Sequence, residues 1–220
     1  MYQRTRIKMC GTTSIEDAHK AVELGIDALG FIFVNTSPRF VDAEKAREIT
    51  RSLPPFVNKV GVFVNEGLTE LEEMVDYLGL DTVQLHGDED PDFCKKVGRA
   101  VPSCSVMKAF RIGEHSREEH FASYFDSVQG FVLDTYVKEK EGGTGLSFDW
   151  RILPRLNLQK PFILAGGLHP ENIVEALEVA APYGVDVNSG VESSPGVKDH
   201  EKLQRFIDQV RGYNRVTVQQ

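Results

Sequence analysis

The chain has 220 residues, of which 41% are hydrophobic, and it carries 25 Lys and Arg against 33 Asp and Glu. At this length roughly 70% of the unfolded surface can be buried, so a single domain over residues 1–220 needs neither a disulfide nor a structural metal. The formal net charge of −8 disfavours both nucleic acid and an anionic membrane surface as partners. Any anionic ligand must therefore be held by local hydrogen-bond donors.

The three cysteines, Cys10, Cys94 and Cys104, are odd in number and show no CxxC spacing. This pattern indicates free thiols in a reducing compartment, and it predicts a cytoplasmic protein without a zinc site. The sequence shows neither the apolar region of a signal peptide nor a run of about 18 apolar residues that could span a membrane. We expect a monomer that binds a small molecule.

Short apolar segments alternate with longer amphipathic segments along the whole chain, as in proteins with buried parallel strands. The predicted strands are Thr5–Cys10, Ala28–Phe33, Val57–Phe63, Thr82–His86, Ser105–Phe110, Gly130–Asp134, Pro161–Ala165 and Gly184–Asn188. The predicted helices are Ser14–Leu24, Ala43–Ser52, Leu68–Leu78, Pro91–Val97, Arg117–Tyr124, Pro170–Ala180 and Asp199–Val210. Ser14, Asp42 and Thr69 are the predicted N-caps, because acidic residues follow each of them.

The strands recur about every 22 to 31 residues, which is the length of one βα unit. Eight such units use up the chain and predict a single (β/α)₈ TIM barrel. A doubly wound open sheet is the alternative fold. It would usually carry a GxGxxG turn after the first strand, where this chain reads Cys10-Gly11-Thr12-Thr13.

Polar side chains occur at the carboxyl ends of several predicted strands, which form the catalytic face of a barrel. Because residues two apart in a strand share a face, the sequence groups Lys8 with Cys10, Gln84 with His86, Val132 with Asp134, and Asp186 with Asn188. Any one of these residues alone can be a helix cap or a buried polar residue whose hydrogen bonds are satisfied. The whole convergent set is better explained by a site, because buried ionisable groups cost free energy unless they are paired or used.

Cys10 and Asp134 are the candidate catalytic residues. The Lys8 ammonium on the face of Cys10 is expected to favour the thiolate, so that the sulfur can act as a base. The alternative for Cys10 is a small buried hydrophobic residue. Asp134 ends an apolar run, and its carboxyl group can serve as a general acid if desolvation raises its pKa. Its alternative is a cap at the start of a loop.

Glycine-rich turns follow the last two predicted strands, where barrels of this kind present backbone N–H groups to a phosphate. The candidate phosphate-binding residues are Gly166, Gly167, Ser189 and Gly190, although turns and helix caps also require glycine. A further glycine loop, Gly142-Gly143-Thr144-Gly145, indicates a hinge or a close approach of backbone to ligand. Arg39, which follows Pro38, can clamp a carboxylate or can be an ordinary surface residue.

Several segments occur together in one order along nearly the full chain. They are Lys8-Met9-Cys10-Gly11, Gly30-Phe31-Ile32-Phe33, Ser37-Pro38-Arg39-Phe40-Val41, Gly61-Val62-Phe63-Val64-Asn65, Val83-Gln84-Leu85-His86-Gly87, Leu133-Asp134, Gly142-Gly143-Thr144-Gly145 with Phe148-Asp149-Trp150, Leu164-Ala165-Gly166-Gly167-Leu168 and Asp186-Val187-Asn188-Ser189-Gly190-Val191-Glu192. In this set the chain resembles the phosphoribosylanthranilate isomerases, barrel enzymes of tryptophan biosynthesis.

The resemblance implies a cofactor-independent Amadori rearrangement of a phosphorylated small molecule, with Asp134 as the general acid and Cys10 as the general base. It also implies that Arg39 holds the anthranilate carboxylate or orients the substrate, and that His86 and Asp186 line the pocket near Lys8. No metal or redox partner is expected.

Two alternatives remain at this point. The first is a related phosphosugar isomerase of histidine biosynthesis, or a version acting on both substrates. The acidic loop Gly87-Asp88-Glu89-Asp90 disfavours it, because that substrate carries a phosphate at each end. The second is a non-catalytic barrel or a thiol-based redox protein.

Overall fold

The computed structural model describes residues 4–134 and 150–218, with side chains described as far as residue 214. Eight parallel strands pair in chain order and close into a barrel, with the last strand hydrogen-bonded to the first. The barrel strands are β1 (Arg6–Met9), β2 (Ala28–Ile32), β3 (Asn58–Phe63), β4 (Thr82–Leu85), β5 (Ser105–Arg111), β6 (Gly130–Asp134), β7 (Phe162–Ala165) and β8 (Gly184–Val187). The predicted TIM barrel is confirmed, and the open sheet is wrong.

Helices connect the strands around the outside of the barrel. They are α1 (Ile15–Glu23), α2 (Ala43–Ser52), α3 (Leu68–Leu78), α4 (Pro91–Ala100), α5 (Glu119–Ala122), α6 (Ile173–Ala180) and α7 (His200–Val218). Two 3₁₀ helices cover Trp150–Leu156 and Ser189–Val191, and a small antiparallel hairpin of β9 (Glu192–Ser194) and β10 (Val197–Lys198) lies between β8 and α7.

Alternation along the strands separates two layers of side chains. Phe131 and Leu133 of β6 pack in the large core between strands and helices, whereas Val132 packs with Ile163 in a smaller cluster that consists of strand residues. That smaller cluster fills the barrel interior, since successive side chains of a strand point to opposite faces. Asp134 lies two residues beyond Val132 and therefore faces the interior at the carboxyl end of β6.

Helix starts follow the predicted capping in two of three cases. The Ser14 side chain accepts a hydrogen bond from the backbone N–H of Asp17, and Asp42 accepts one from Lys45. The prediction for Thr69 is wrong, because α3 begins at Leu68 with Gly67 in the cap position. A Thr inside the first turn is tolerated there, since the first N–H groups of a helix can be satisfied without a side-chain cap.

The structure corrects other boundaries. The helix α5 is confined to Glu119–Ala122, α6 begins at Ile173, and α7 extends to Val218. The hairpin β9–β10 was not predicted, because its strands have three and two residues and lack an apolar run. Over the residues described, no helix is both long and apolar enough to cross a membrane.

Candidate active site

A buried ion pair joins the first and last barrel strands. Lys8 of β1 and Asp186 of β8 are register partners, and Lys8 Nζ lies 2.6 Å from Asp186 Oδ2. Burial alone would lower the pKa of Lys8, but its contacts with Asp186 and Cys10, led by the negative charge of Asp186, outweigh burial and raise that pKa. Burial also raises the pKa of Asp186, and Lys8 opposes this shift. The barrel interior beneath Cys10 therefore contains one ammonium group and one carboxyl group in contact.

Cys10 follows β1 and donates its backbone N–H to Val187 O at 2.9 Å, which extends the β1–β8 ladder to the barrel mouth. A Cβ built on Gly30 would lie 2.9 Å from Cys10 Sγ and 3.0 Å from Lys8 Nζ. The thiol and the ammonium therefore lie on one face, as predicted, and both cover Gly30. The missing side chain at position 30 leaves room for them.

The pKa of Cys10 depends on burial as well as on Lys8. Burial raises the pKa of the thiol, and the nearby Lys8 ammonium lowers it without cancelling that shift. Lys8 acts in the predicted direction, but it is already paired with Asp186, whose charge raises the pKa of Cys10 again. In the free protein the raised pKa keeps the sulfur mainly a thiol at neutral pH, and the role of Cys10 as the base stays a prediction.

His86 and Asp134 form a second group at the carboxyl ends of β4 and β6. His86 Nε2 lies 3.6 Å from Asp134 Oδ2, and His86 Nδ1 lies 3.1 Å from the Gln84 amide nitrogen. The Asp134 side chain is 23% exposed, so that its carboxyl group can reach a ligand in the mouth. Gln84 orients the imidazole from below.

The charge of Asp186 acts on both sets of residues, Lys8 with Cys10 and His86 with Asp134. It interacts electrostatically with Lys8 and with Cys10 on one side and with His86 and Asp134 on the other. Its Oδ1 atom is buried and finds no hydrogen-bond partner among the residues described. A buried carboxylate oxygen in that state is suited to accept a hydrogen bond from a ligand.

Arg39 lies in the loop after β2 and pairs with a carboxylate that the sequence did not identify as its partner. Its Nε lies 2.9 Å from Oε1 of Glu192, and its Nη2 lies 2.7 Å from Oε2. The arginine stem packs on Gly11, where an added Cβ would lie 2.9 Å from Arg39 Cδ and 2.8 Å from Asn188 Oδ1. Arg39 therefore lies next to the Cys10-Gly11 backbone, at the barrel mouth.

The same carboxylate binds a second cation. Lys198 Nζ lies 2.9 Å from Glu192 Oε1 and 2.9 Å from Asn188 Oδ1. Burial opposes ionisation of Glu192, but hydrogen bonds from Arg39 and Lys198 outweigh it and lower the pKa of this carboxyl group. Burial lowers the pKa of Lys198, and Glu192 opposes that shift. Glu192 and Lys198 are the charged residues that sequence reasoning missed.

Glu192 is the last residue of the segment that begins at Asp186, but no sequence pattern indicates that it pairs with Arg39. Lys198 carries no such signal. Gly30 interrupts an apolar strand, and a glycine inside a strand often marks a close approach.

The candidate phosphate-binding turns come together after β7 and β8. Gly166 and Gly167 have positive φ values of 89° and 65°. A Cβ on Gly190 would lie 1.9 Å from Leu168 O, so the turn after β8 packs directly against the turn after β7. Ser189 begins the short 3₁₀ helix of this turn. The loop candidates Gly142, Gly143, Thr144 and Gly145 lie outside the described residues.

The acidic loop after β4 folds inward. Glu89 accepts hydrogen bonds from the backbone N–H groups of Asn65 at 2.8 Å and Gly87 at 2.9 Å, and Lys108 Nζ lies 3.2 Å from its Oε2. The backbone N–H of Gly87 in this loop, and that of Asn65 after β3, are therefore engaged by a carboxylate of the chain itself.

The three cysteines are free and buried, and burial raises the pKa of Cys94 to about 11. Within the described part of the chain, no three His, Cys, Asp or Glu side chains are placed to hold a metal ion.

A closed parallel barrel with ionisable side chains gathered at the carboxyl ends of its strands is typical of the (β/α)₈-barrel enzymes. The comparison with protein families narrows this class. Residues 7–209 match the model of the N-(5'-phosphoribosyl)anthranilate isomerases. The chain therefore belongs to this family of isomerases.

Individual relatives agree over nearly the whole chain. The N-(5'-phosphoribosyl)anthranilate isomerase of Geotalea uraniireducens is 46% identical over 208 residues, which cover 94% of this chain and 99% of that protein. A solved phosphoribosyl anthranilate isomerase from Thermotoga maritima has a TM-score of 0.84 and 42% identity, covering 94% of this chain and 99% of that one. A second solved isomerase, in complex with reduced 1-(o-carboxyphenylamino)-1-deoxyribulose 5-phosphate, has a TM-score of 0.82 and 40% identity, with 94% and 99% covered.

Proposed function

We propose that the chain converts N-(5'-phosphoribosyl)anthranilate to 1-(2-carboxyphenylamino)-1-deoxyribulose 5-phosphate in tryptophan biosynthesis, with Asp134 as the general acid and Cys10 as the general base. The observation that carries the proposal is that Cys10, next to the buried Lys8–Asp186 pair, and Asp134, next to His86, both lie at the carboxyl ends of strands of one closed barrel. The ligand in the complex of the second solved relative has the carbon skeleton of this product, and that supports the substrate class.

The first step opens the sugar ring. Asp134 gives its proton to the furanose ring oxygen as the bond between that oxygen and C1' breaks, and the nitrogen lone pair forms the C1'=N bond of an iminium ion. His86, 3.6 Å from the Asp134 carboxyl group, can hold that group in place and stabilise it after it becomes a carboxylate.

The second step removes the proton at C2'. The Cys10 sulfur takes this proton, the C–H electron pair forms the C1'=C2' bond, and the iminium nitrogen becomes neutral. The resulting enol then becomes the ketone by transfer of the hydroxyl proton and protonation of C1'. The redox change is internal to the substrate, so the steps balance without an external oxidant.

Because the pKa of Cys10 is raised in the free protein, only a minor thiolate fraction can act as the base at neutral pH. Lys8 supports that fraction, since its ammonium favours the negative sulfur.

The phosphate and the anthranilate carboxylate of the substrate would bind to two further parts of the barrel mouth. The turns that contain Gly166, Gly167, Ser189 and Gly190 would hold the phosphate through backbone N–H groups, which suits a protein of net charge −8. Arg39 would hold the anthranilate carboxylate beside Cys10. Lys8, His86 and Asp186 would line the sugar between them.

The structure offers little support for the two alternatives. A substrate with phosphates at both ends would meet Glu89 at the loop after β4, where the carboxylate already occupies two backbone N–H groups. A redox thiol needs a lowered pKa, whereas the pKa of Cys10 is raised.

The test follows the loss of phosphoribosylanthranilate fluorescence with the wild-type chain, Cys10→Ser and Asp134→Asn. We expect each variant to lower kcat by orders of magnitude, as removal of a general acid or base typically does. Cys94→Ala is the matched control, because it removes a buried thiol of α4 and should leave kcat near the wild-type value. Full activity in Cys10→Ser would contradict the role of the thiol, and a folded wild-type chain without activity would contradict the function.

We further propose that the chain acts as a monomer in the cytoplasm and binds neither nucleic acid nor membranes. Sedimentation velocity tests the oligomeric state, and a species of twice the chain mass would contradict the monomer.

A further inference from the structure

The carboxylate of Glu192 joins two loops of the barrel mouth that are 153 positions apart in sequence. Its side chain is 4% exposed, and it accepts hydrogen bonds from Arg39 and Lys198. The guanidinium is held through Nε and Nη2 together, a bidentate contact that fixes both its distance and its plane. Arg39 therefore has a defined orientation before any ligand binds.

Lys198 anchors the carboxylate in turn. It is fully buried, and it also binds Asn188 Oδ1, so that Glu192 is tied to the carboxyl end of β8. Lys202 Nζ donates to the backbone carbonyl of Glu192 at 2.9 Å, which fixes the start of β9. Arg39 is thus held against an element other than its own loop.

The charges of the cluster formed by Arg39, Glu192 and Lys198 favour an anion. Arg39 and Lys198 supply two positive charges, Glu192 supplies one negative charge, and the cluster has a net charge of about +1 when all three are ionised. A cluster with balanced charge would give an incoming carboxylate no net attraction. Among these three side chains the cations outnumber the carboxylate, in a region that is largely removed from water.

We propose that Glu192 is a positioning residue that, together with Lys198, holds Arg39 in the orientation that selects a substrate with an aryl carboxylate. The inference rests on the proposed function, since the carboxylate in question is that of the anthranilate group. Glu192 itself does not contact the substrate. Its removal should therefore change recognition of the carboxylate rather than proton transfer.

The test compares two substrates, phosphoribosylanthranilate and the phosphoribosyl adduct of aniline, which lacks the carboxylate. For Glu192→Gln we expect kcat/KM for the first substrate to fall by about 100-fold, the size of effect that follows a misplacement of about 1 Å. The loss should appear mainly in KM, because the contact exists in both ground state and transition state. For the aniline adduct kcat/KM should stay at the wild-type value.

A double-mutant cycle separates positioning from general damage. If Glu192 acts through Arg39, adding Glu192→Gln to Arg39→Ala should have no further effect on kcat/KM. Additive losses, or equal losses for both substrates, would overturn the inference. Glu48→Gln, which removes an exposed ion pair with Lys45 in α2, is the control and should behave as wild type.

Arg39→Lys gives a second readout should Glu192→Gln fail to fold. It keeps a cation beside Glu192 but cannot form the bidentate contact, and we expect the same selective loss with the carboxylated substrate. Undiminished selectivity in Arg39→Lys would overturn the inference. A wild-type chain that acts on neither substrate would instead contradict the proposed function, so the two failures are distinguishable.

Discussion

Gly30 lies against the Cys10 sulfur so closely that a methyl group in its Cβ position would come within 2.9 Å of Sγ. The same methyl group would lie 3.0 Å from the Lys8 ammonium nitrogen. The Cys10 thiol and the Lys8 ammonium can therefore occupy these positions only because residue 30, which lies in another strand, has no side chain.

Gly30→Ala should lower kcat without unfolding the chain. The alanine methyl group pushes the sulfur away from its position over the sugar, and a displacement of that kind costs about 100-fold in rate. The measurement is kcat together with thermal unfolding. Gly98→Ala in α4 is the matched control, because its methyl group would meet only Val106 Cγ2 at 3.9 Å. Activity of Gly30→Ala equal to that of this control would contradict the steric argument.

The pH dependence of the rate should follow the protonation of Cys10. Because burial raises the pKa of the thiol above its ordinary value, the thiolate fraction grows with pH throughout the neutral range. In Asp134→Asn, whose residual activity no longer depends on the protonation of the general acid, kcat/KM rises with pH until the pH passes that pKa if the thiolate is the base. A pH-rate profile from 6 to 10, the range set by an ordinary thiol pKa of about 8.5, measures this rise.

Cys10→Asp, added to Asp134→Asn, provides the comparison for that profile. A carboxylate is ionised well below neutral pH, so the rising part of the profile should move to lower pH whatever the absolute rate of the variant. An unchanged profile would show that another group limits the reaction.

The barrel could be predicted from the sequence because strands that are buried on both faces must be apolar nearly throughout. The strand β6, Gly130–Asp134, has the predicted bounds, and the predicted start of β3 at Val57 differs from the observed start at Asn58 by one residue. The helices α2 and α3 also have the predicted bounds, whereas α5, α6 and α7 differ from them. The cap at Thr69 was wrong because a Gly in extended conformation can begin a helix without a side-chain hydrogen bond.

The residues of the mouth could be predicted only in part. Alternation along β1 and β4 places Lys8 with Cys10 and Gln84 with His86, because that relation is local. The contact of Arg39 with Glu192 joins residues from β2 and β8 loops, and no local pattern encodes it. The charge state of Cys10 depends on burial as well as on Lys8, and burial becomes known only when the barrel is closed.

The contribution of Glu192 to stability should disappear in acid. Its pKa is lowered in the folded chain, so the folded state binds fewer protons than the unfolded state just below the ordinary glutamate range. Its contribution is therefore fully present above the unfolded pKa, and it is lost as the pH falls through the folded pKa.

Urea unfolding of the wild type and Glu192→Gln over a series of pH values measures this difference. We expect the wild type to be more stable near neutral pH and the gap to narrow as the pH falls below about 4.3. A gap independent of pH would mean that the carboxylate charge contributes nothing to the pairing with Arg39 and Lys198.

A further buried pair, Glu89 with Lys108, should be important for stability. Their side chains are 2% and 4% exposed, and Glu89 also accepts two backbone N–H groups. Glu89→Ala leaves the Lys108 ammonium buried without its counter-charge, which typically costs about 3–5 kcal/mol. Urea unfolding measures the loss. In the double variant Glu89→Gln with Lys108→Met no buried charge remains, so it should lose less stability than Glu89→Ala. An equal or greater loss in the double variant would contradict the charge argument and assign the effect to the hydrogen bonds with Asn65 and Gly87.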